Sequence, residues 1–445
     1  MLPPVRPAIR PLSRRAILVL SIAGTLAACG GSAGSTSSTT ASDGTISVAG
    51  TGATSTEATT TEATTTSTEP AATTAAAATT TTTTIPPGVP TITGMPPNLD
   101  ARNIYSETLI GKENPITKDD PPRIYVPTLE GRVVVVIDPA TFQIIDRFTT
   151  GQMTQHVVPG FNLRTLYANA SGANRLIPID PVTGKPGAPI PVDAPYNLYF
   201  TPDGGRAVVQ AERRNRIDYY QLPEWKLIKQ VKVPCNGNNH ADWSADGSYF
   251  LTTCEFSSEM IKVDTVTGDV IGKIALKKGS MPQDVRLLPD GKRFYIADMA
   301  ANGVWIMDGD AMQILGFIPT ARGAHAVYPS RDTNLVYVPN RGRSNNVDTA
   351  RRSRPGEGSI SVIDWRSNTI IATWEIPGGG SPDMGGVTAD GKQLWLSGRY
   401  DDEVYVLDTA NGNLLARIKT PPEPHGLVVW PQQGRYSLGH TGNFR

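Results

Sequence analysis

The sequence predicts an all-β protein, a seven-bladed β-propeller of four-stranded antiparallel blades closed by joining its N- and C-terminal strands. Three observations predict it. Met281–Ile318 reads as four short strands, Asp284–Leu288, Arg293–Ala297, Gly303–Asp308 and Gln313–Ile318, with a Pro289-Asp290-Gly291 turn between the first two. The apolar runs are rich in Val, Ile, Phe and Tyr and too closely punctuated by turn residues to be helices. The same unit recurs through the chain: counting back six residues from the turn Asp gives Asn197, His240 and Asp284, and weaker copies place His156, His325, Met384 and His425 at the same point, with steps of 41, 43, 44, 41, 59 and 41 residues. Finally, third strands end in Asp138, Asp180, Asp264, Asp308, Asp364 and Asp408, with Gln221 in the remaining gap. A four-stranded unit has two bare faces and two edges, and radial stacking into a closed ring covers both faces and limits the edges.

In chain order, residues 1–28 read as an export signal. Arg6, Arg10, Arg14 and Arg15 precede an apolar core, Ala16–Leu26, too short to span a bilayer. Leu26-Ala27-Ala28-Cys29 resembles the bacterial lipobox, in which the Cys becomes the lipidated first residue of the mature chain. Ser13-Arg14-Arg15-Ala16-Ile17-Leu18 resembles the twin-arginine motif of proteins exported already folded. Residues 29–95 are then the lipidated Cys and a linker of Ser, Thr, Ala and Gly turning Pro-rich at its end, which cannot bury enough apolar surface to offset chain entropy and is expected to be disordered. It serves as a tether, and its Thr tracts suit O-glycosylation.

Residues 96–445 form the propeller. The strands from Arg123 onwards lack a preceding first strand, and the C-terminal His425–Trp430 supplies it, so the two ends of the domain share one blade. Either Arg123–Thr128 or Arg435–Thr441 takes the second position. The repeated Asp residues are expected to make turns, each side chain bonding the backbone two residues on. Lys plus Arg and Asp plus Glu each number 41, and setting aside four Arg in the signal and four acids in the linker leaves 37 of each. A neutral domain argues against nucleic acid as a partner. Of three cysteines, Cys29 is used by the lipid; Cys235 and Cys254 come to the same rim when their blade folds about Ala245-Asp246-Gly247, and in an exported chain they are expected to pair. Two free thiols or metal ligation are the alternatives.

The innermost strand of a propeller blade lines the axis, so equivalent residues at its start form a ring at one channel mouth. Four of the five histidines, His156, His240, His325 and His425, share that register, and His440 ends the last strand where the chain returns to the rim. Asn197, Asp284, Met384 and neighbouring Asp383 complete the ring. Imidazole ligates transition metals, binds haem iron and acts as acid or base near neutrality. The competing reading is that each His bonds rim backbone and fixes its blade. Separations around a seven-bladed axis weigh against one metal ion bridging the ring.

The second-to-third strand loops reach this mouth with Glu212, Arg213, Glu255, Asp298, Arg341, Arg343, Arg399 and Asp401. The 59-residue step reflects an insertion, 339–358, whose Arg341, Arg343, Arg351, Arg352 and Arg354 would form a basic flap for a small anionic ligand, or else a solvated loop.

The segments PDGKRFYIADMAANGVWIMD, NLVYVPNRG, GSISVIDWRSNTIIATWEI and KQLWLSGRYDDEVYVLDTANGNLLARI resemble the repeats of bacterial YVTN-type propellers, the YncE-like group, across residues 123–445. The resemblance implies the propeller and not one activity, since similar propellers include exported binding proteins, the phosphogluconolactonase type and haem d1 proteins. No lactonase residue set maps onto the chain, and without a CxxCH motif covalent c-type haem is excluded. The expectation is an exported propeller, anchored to the membrane of the bacterial cell envelope through its N-terminal lipid, that binds a small ligand or an envelope protein at its His-rich mouth without turnover. The alternatives are a lactone hydrolase or tetrapyrrole-handling protein using His240 or His325 as base or axial ligand, and a structural envelope scaffold. The sequence specifies no cofactor.

Overall fold

The computed structural model describes residues 88–342 and 357–445. The expected signal, the lipid-bearing Cys29, the linker up to residue 87, and Arg343, Arg351, Arg352 and Arg354 of the expected flap lie outside the described residues. Among the described residues no helix is long and apolar enough to cross a membrane.

Seven antiparallel sheets of four strands each are present among the described residues. Their innermost strands are Val428–Trp430, Thr154–Pro159, Asn197–Phe200, Asn238–Trp243, Pro282–Leu287, Tyr328–Pro329 and Pro382–Val387. Each strand is short because a turn follows every five or six residues, and the turns use the expected chemistry: Asp138, Asp180, Asp264, Asp308, Asp364 and Asp408 each accept a backbone N–H two or three residues on, at 2.7–2.9 Å.

What makes a ring of these sheets is the distribution of apolar residues. Second and third strands carry buried Val, Ile, Leu and aromatic residues on both faces, so each sheet contributes to two cores. Seven apolar clusters result, and each is shared by two neighbouring blades. The seam obeys the same rule. Trp395, Val404 and Val406 of the last complete blade pack on Ile124, Val126, Ile137 and Val429 of the blade that joins both ends of the domain.

In that joint blade Val428–Trp430 pairs with Arg123–Pro127, which settles the second position in favour of the N-terminal strand. Arg435–Thr441 is no blade strand. The chain from Gln432 to Arg445 instead turns into the axis and fills it: Phe200 N–H donates to Leu438 O, His440 N–H to Leu198 O, and Asn443 Nδ2 to Ala241 O. Arg445 reaches Asp242 at 2.8 Å, and Arg286 donates to Asn443 Oδ1. The central channel is therefore occupied by the chain itself. A segment with Gly434, Gly439 and Gly442 and few alternating apolar residues cannot cover a blade face, but its polar groups can satisfy the inner backbone it runs past.

Candidate functional site

Four inner strands carry a β-bulge at the ring position. Between Thr154 and Val157, Asn238 and Ala241, Pro282 and Val285, and Pro382 and Gly385 the inner strand spends three residues where its partner spends two. The extra residue breaks the in-out alternation and re-aims side chains toward the axis. His156, His240, Asp284 and Asp383 all lie within these bulges. In the blade of Pro382–Val387 the first bulge residue, Asp383, faces the centre, while Met384, in the register of His156, His240 and Asp284, packs in the apolar core between two blades.

His156, Asn197, His240, Asp284, His325, Asp383, His425 and His440 are each 0–1 % exposed, so the expected mouth is a sealed centre. The five imidazoles meet there. Ring centroids lie 4.8 Å apart for His156 and His425, 5.0 Å for His240 and His440, 5.3 Å for His156 and His440, 5.6 Å for His156 and His240, and 6.0 Å for His325 and His425. His440 arrives on the axial segment and holds a left-handed backbone at φ 52°, a conformation uncommon outside glycine. Its neighbour Gly439 must lack a side chain, since a Cβ there would sit 2.5 Å from Tyr199 Cα.

Hydrogen bonds fix several ring orientations. His156 Nδ1 lies 2.9 Å from Tyr196 O and His425 Nδ1 3.1 Å from Gln155 O, so both tie neighbouring blades together. Asn197 Nδ2 lies 2.9 Å from His440 Nδ1. On the other side of the centre, Asp383 Oδ1 accepts from Arg341 at 2.8 Å and lies 2.7 Å from His325 Nδ1, off the line a hydrogen bond needs. His156 Nε2, both nitrogens of His240, His425 Nε2, His440 Nε2, Asp383 Oδ2 and Asp284 Oδ1 are buried without a hydrogen-bond partner. Such a concentration is costly in an unliganded core, because each bare polar atom has lost its water.

Electrostatics keep the rings neutral. Burial lowers His156 to about 3 and His325 to about 4, and drives His240, His425 and His440 well below the ordinary histidine value. Burial would raise Asp383, but the Arg341 guanidinium bonded to it outweighs that and holds the carboxyl well below the usual range. Burial lifts Asp284 to about 6 against the pull of Arg286. Burial also raises Glu255, and it raises Glu212 with help from the Glu255 carboxylate.

Two groups of three ligand atoms each lie within 4.8 Å of one another: His156, His240 and His440, and His325, Asp383 and His425. The expected obstacle to a metal, wide separation around the axis, does not exist here, because the bulges lean the side chains inward and the axial segment brings in His440.

Residues 119–435 match the family model of the YncE-like β-propellers. The chain belongs to the YncE-like β-propeller family. YncE of Salmonella typhi and YncE of Salmonella typhimurium are each 24 % identical to it over 180 residues, 37 % of this chain; the match spans about half, 46 %, of either relative's own length. Solved structures share the fold at low identity. A Desulfotomaculum acetoxidans protein of unknown function superposes with a TM-score of 0.55 at 15 % identity, over 69 % of this chain and 98 % of its own. A Bacteroides uniformis protein provisionally named a 6-phosphogluconolactonase gives 0.54 at 15 %, over 69 % and 99 %. The dihydro-haem d1 dehydrogenase NirN in complex with DHE gives 0.53 at 16 %, over 71 % and 77 %.

In this YncE-like propeller the loop residues divide. Arg341 is no part of a surface flap: it is fully buried at the end of Leu335–Asn340 and bonded to Asp383, because a carboxylate held in the core needs a partner. Asp298 and Asp401 do local work, bonding Met281 N, Ala300 N and Trp305 Nε1, and Ser381 Oγ and Tyr405 OH, respectively. Arg213 donates to Ser171 O. Cys235 and Cys254 are bonded, their Cα atoms 6.0 Å apart, at one end of the strand pair that carries His240, Cys235 just before Asn238–Trp243 and Cys254 closing Tyr249–Cys254. The ring reading missed Asp242 and Arg286, two residues beyond His240 and Asp284 on the same strands. The period of two was the available signal, since i and i+2 share a face.

Proposed function

We propose that this chain is an exported propeller, held at the extracytoplasmic face of the cell envelope by a lipid on Cys29, and that it works as a binding protein whose ligand sits at the histidine centre. The observation that carries the binding half is the set of bare nitrogen and carboxylate atoms gathered in the buried centre, His425 Nε2 and Asp383 Oδ2 foremost. The anchoring half is supported by Leu26-Ala27-Ala28-Cys29 and by the Thr-rich tract behind it.

Binding without turnover is favoured because, among the described residues, no serine or cysteine bonds an imidazole of the centre, and the cysteines described are joined to each other. Lactone hydrolysis keeps one support, the 2.7 Å contact of His325 Nδ1 with Asp383 Oδ1. Tetrapyrrole handling is disfavoured by crowding: five packed imidazoles and the axial segment fill the space such a ring would need.

The test is to purify the full chain from its native export route and identify what it retains, by elemental analysis, an absorption spectrum and mass spectrometry of the released material. Stoichiometric retention of one species, lost in His425→Gln, supports the reading; a protein that carries nothing and takes up nothing contradicts it. Cys29→Ser should move the protein from the membrane fraction to the soluble fraction, and membrane retention of that variant would exclude the lipid anchor.

A further inference from the structure

The tautomers of the central histidines separate ligand atoms from structural ones. A carbonyl oxygen only accepts, so Gln155 O, 3.1 Å from His425 Nδ1, requires the proton on that nitrogen. A neutral ring then has its lone pair on Nε2, and Nε2 points at Asp383 Oδ2 across 3.6 Å. Neither atom has a hydrogen-bond partner and both residues are fully buried. Two lone pairs facing each other in a core repel unless a cation lies between them. His156 is prepared in the same way: Nδ1 is committed to Tyr196 O at 2.9 Å, Nε2 is bare, and its ring lies 4.8 Å from that of His425. Gly426 makes this close approach possible, since a Cβ there would meet His156 Cδ2 at 2.0 Å.

His440 is set the other way. Asn197 Oδ1 accepts the Leu198 N–H at 3.0 Å, which turns its amide nitrogen toward His440 Nδ1 at 2.9 Å. His440 Nδ1 is thus an acceptor, and its proton sits on Nε2, facing Asp284 Oδ1 at 3.5 Å.

We infer that His325, Asp383 and His425 hold a divalent transition-metal ion of the zinc class, with His440, whose donor atom groups with those of His156 and His240, outside the coordination sphere. This deepens the binding reading above and rests on it. Two metal–ligand bonds of about 2.1 Å diverging near the tetrahedral angle separate their donor atoms by about 3.4 Å, so the 3.6 Å gap between His425 and Asp383 needs almost no adjustment. Imidazole nitrogens select zinc-class ions over magnesium or calcium. The outer shell is also that of a metal site: the Gln155 carbonyl holds the Nδ1 proton of His425, and Arg341 holds Asp383 Oδ1, leaving Oδ2 for the ion.

The test uses the full chain stripped with a chelator and titrated with Co2+ as the optical probe and Zn2+ as the competitor. One equivalent of Co2+ should develop visible bands of four-coordinate intensity, and one equivalent of Zn2+ should abolish them. His425→Gln should weaken binding at least tenfold, and His440→Gln should leave affinity within about threefold. No stoichiometric Co2+ or Zn2+ binding by the wild type overturns the inference whatever the variants do, and equal losses in the two variants overturn the assignment of His440. If metal does not bind but the natively exported protein retains another small molecule, the metal inference alone falls; if it retains nothing, the binding reading falls with it.

Discussion

The Cys235–Cys254 bridge closes a 19-residue separation and flanks the site, because Glu255 N–H donates to Gly237 O at 2.9 Å and Asn239 donates to Glu255 at 2.9 Å directly before His240. Replacing both cysteines by alanine releases that loop in the unfolded chain. The chain-entropy relation for a loop of this length gives a loss of about 3 kcal/mol. Both cysteines lie in the apolar core between two blades, so lost packing adds to that figure. The assay is guanidinium unfolding at neutral pH of the oxidised wild type, the wild type with thiol reductant, and the double variant. The reduced protein and the double variant should both be destabilised by about 3 kcal/mol or more. A double variant within 1 kcal/mol of the oxidised wild type would show that the bridge does not restrain the unfolded chain and would refute the reasoning.

Other expectations follow from the centre and the seam. Asp284 binds its proton at about 6 in the fold but near 3.8 when unfolded, so the folded state holds the extra proton and stability falls as pH rises through that window. Asp284→Asn should remove about 3 kcal/mol of pH dependence between pH 4 and 6, measured by denaturant midpoints; an unchanged slope would mean that the carboxyl is solvated. Gly426→Ala should displace the His156 ring, with a loss of about 1–3 kcal/mol in unfolding free energy, and unaltered stability would contradict that contact. Trp430 is 1 % exposed, pairs with Arg123 at the seam and bonds Asp120 through its indole at 2.9 Å. Trp430→Ala should cost about 3–5 kcal/mol in the same assay, and a loss below 1 kcal/mol would show that ring closure does not depend on it.

The blades were legible in the sequence because each repeats its strands, its turn and its terminal Asp, and period and turn chemistry point the same way. The gathering of His156, His240, His325 and His425 followed from register, since equivalent positions at the start of inner strands must face one axis, whereas His440 reaches the centre on the axial segment. What stayed hidden has physical causes. Register offers both Met384 and its neighbour Asp383 at the ring position, and only tertiary packing decides that Asp383 faces the centre while Met384 enters the core between two blades. Arg435–Thr441 reads as a strand by its residues, but the axis competes for it with the inner backbone groups of other blades, and that contest is tertiary. Arg341 looked like part of a solvated basic loop because its partner, Asp383, lies 42 residues further on.

X-ray diffraction from crystals of the zinc-loaded full chain, collected on both sides of the zinc absorption edge, tests the centre most directly. One anomalous peak should appear within bonding distance of His425 Nε2, Asp383 Oδ2 and His325. Zinc found only on surface residues, with the central nitrogens still bare, would contradict the assignment.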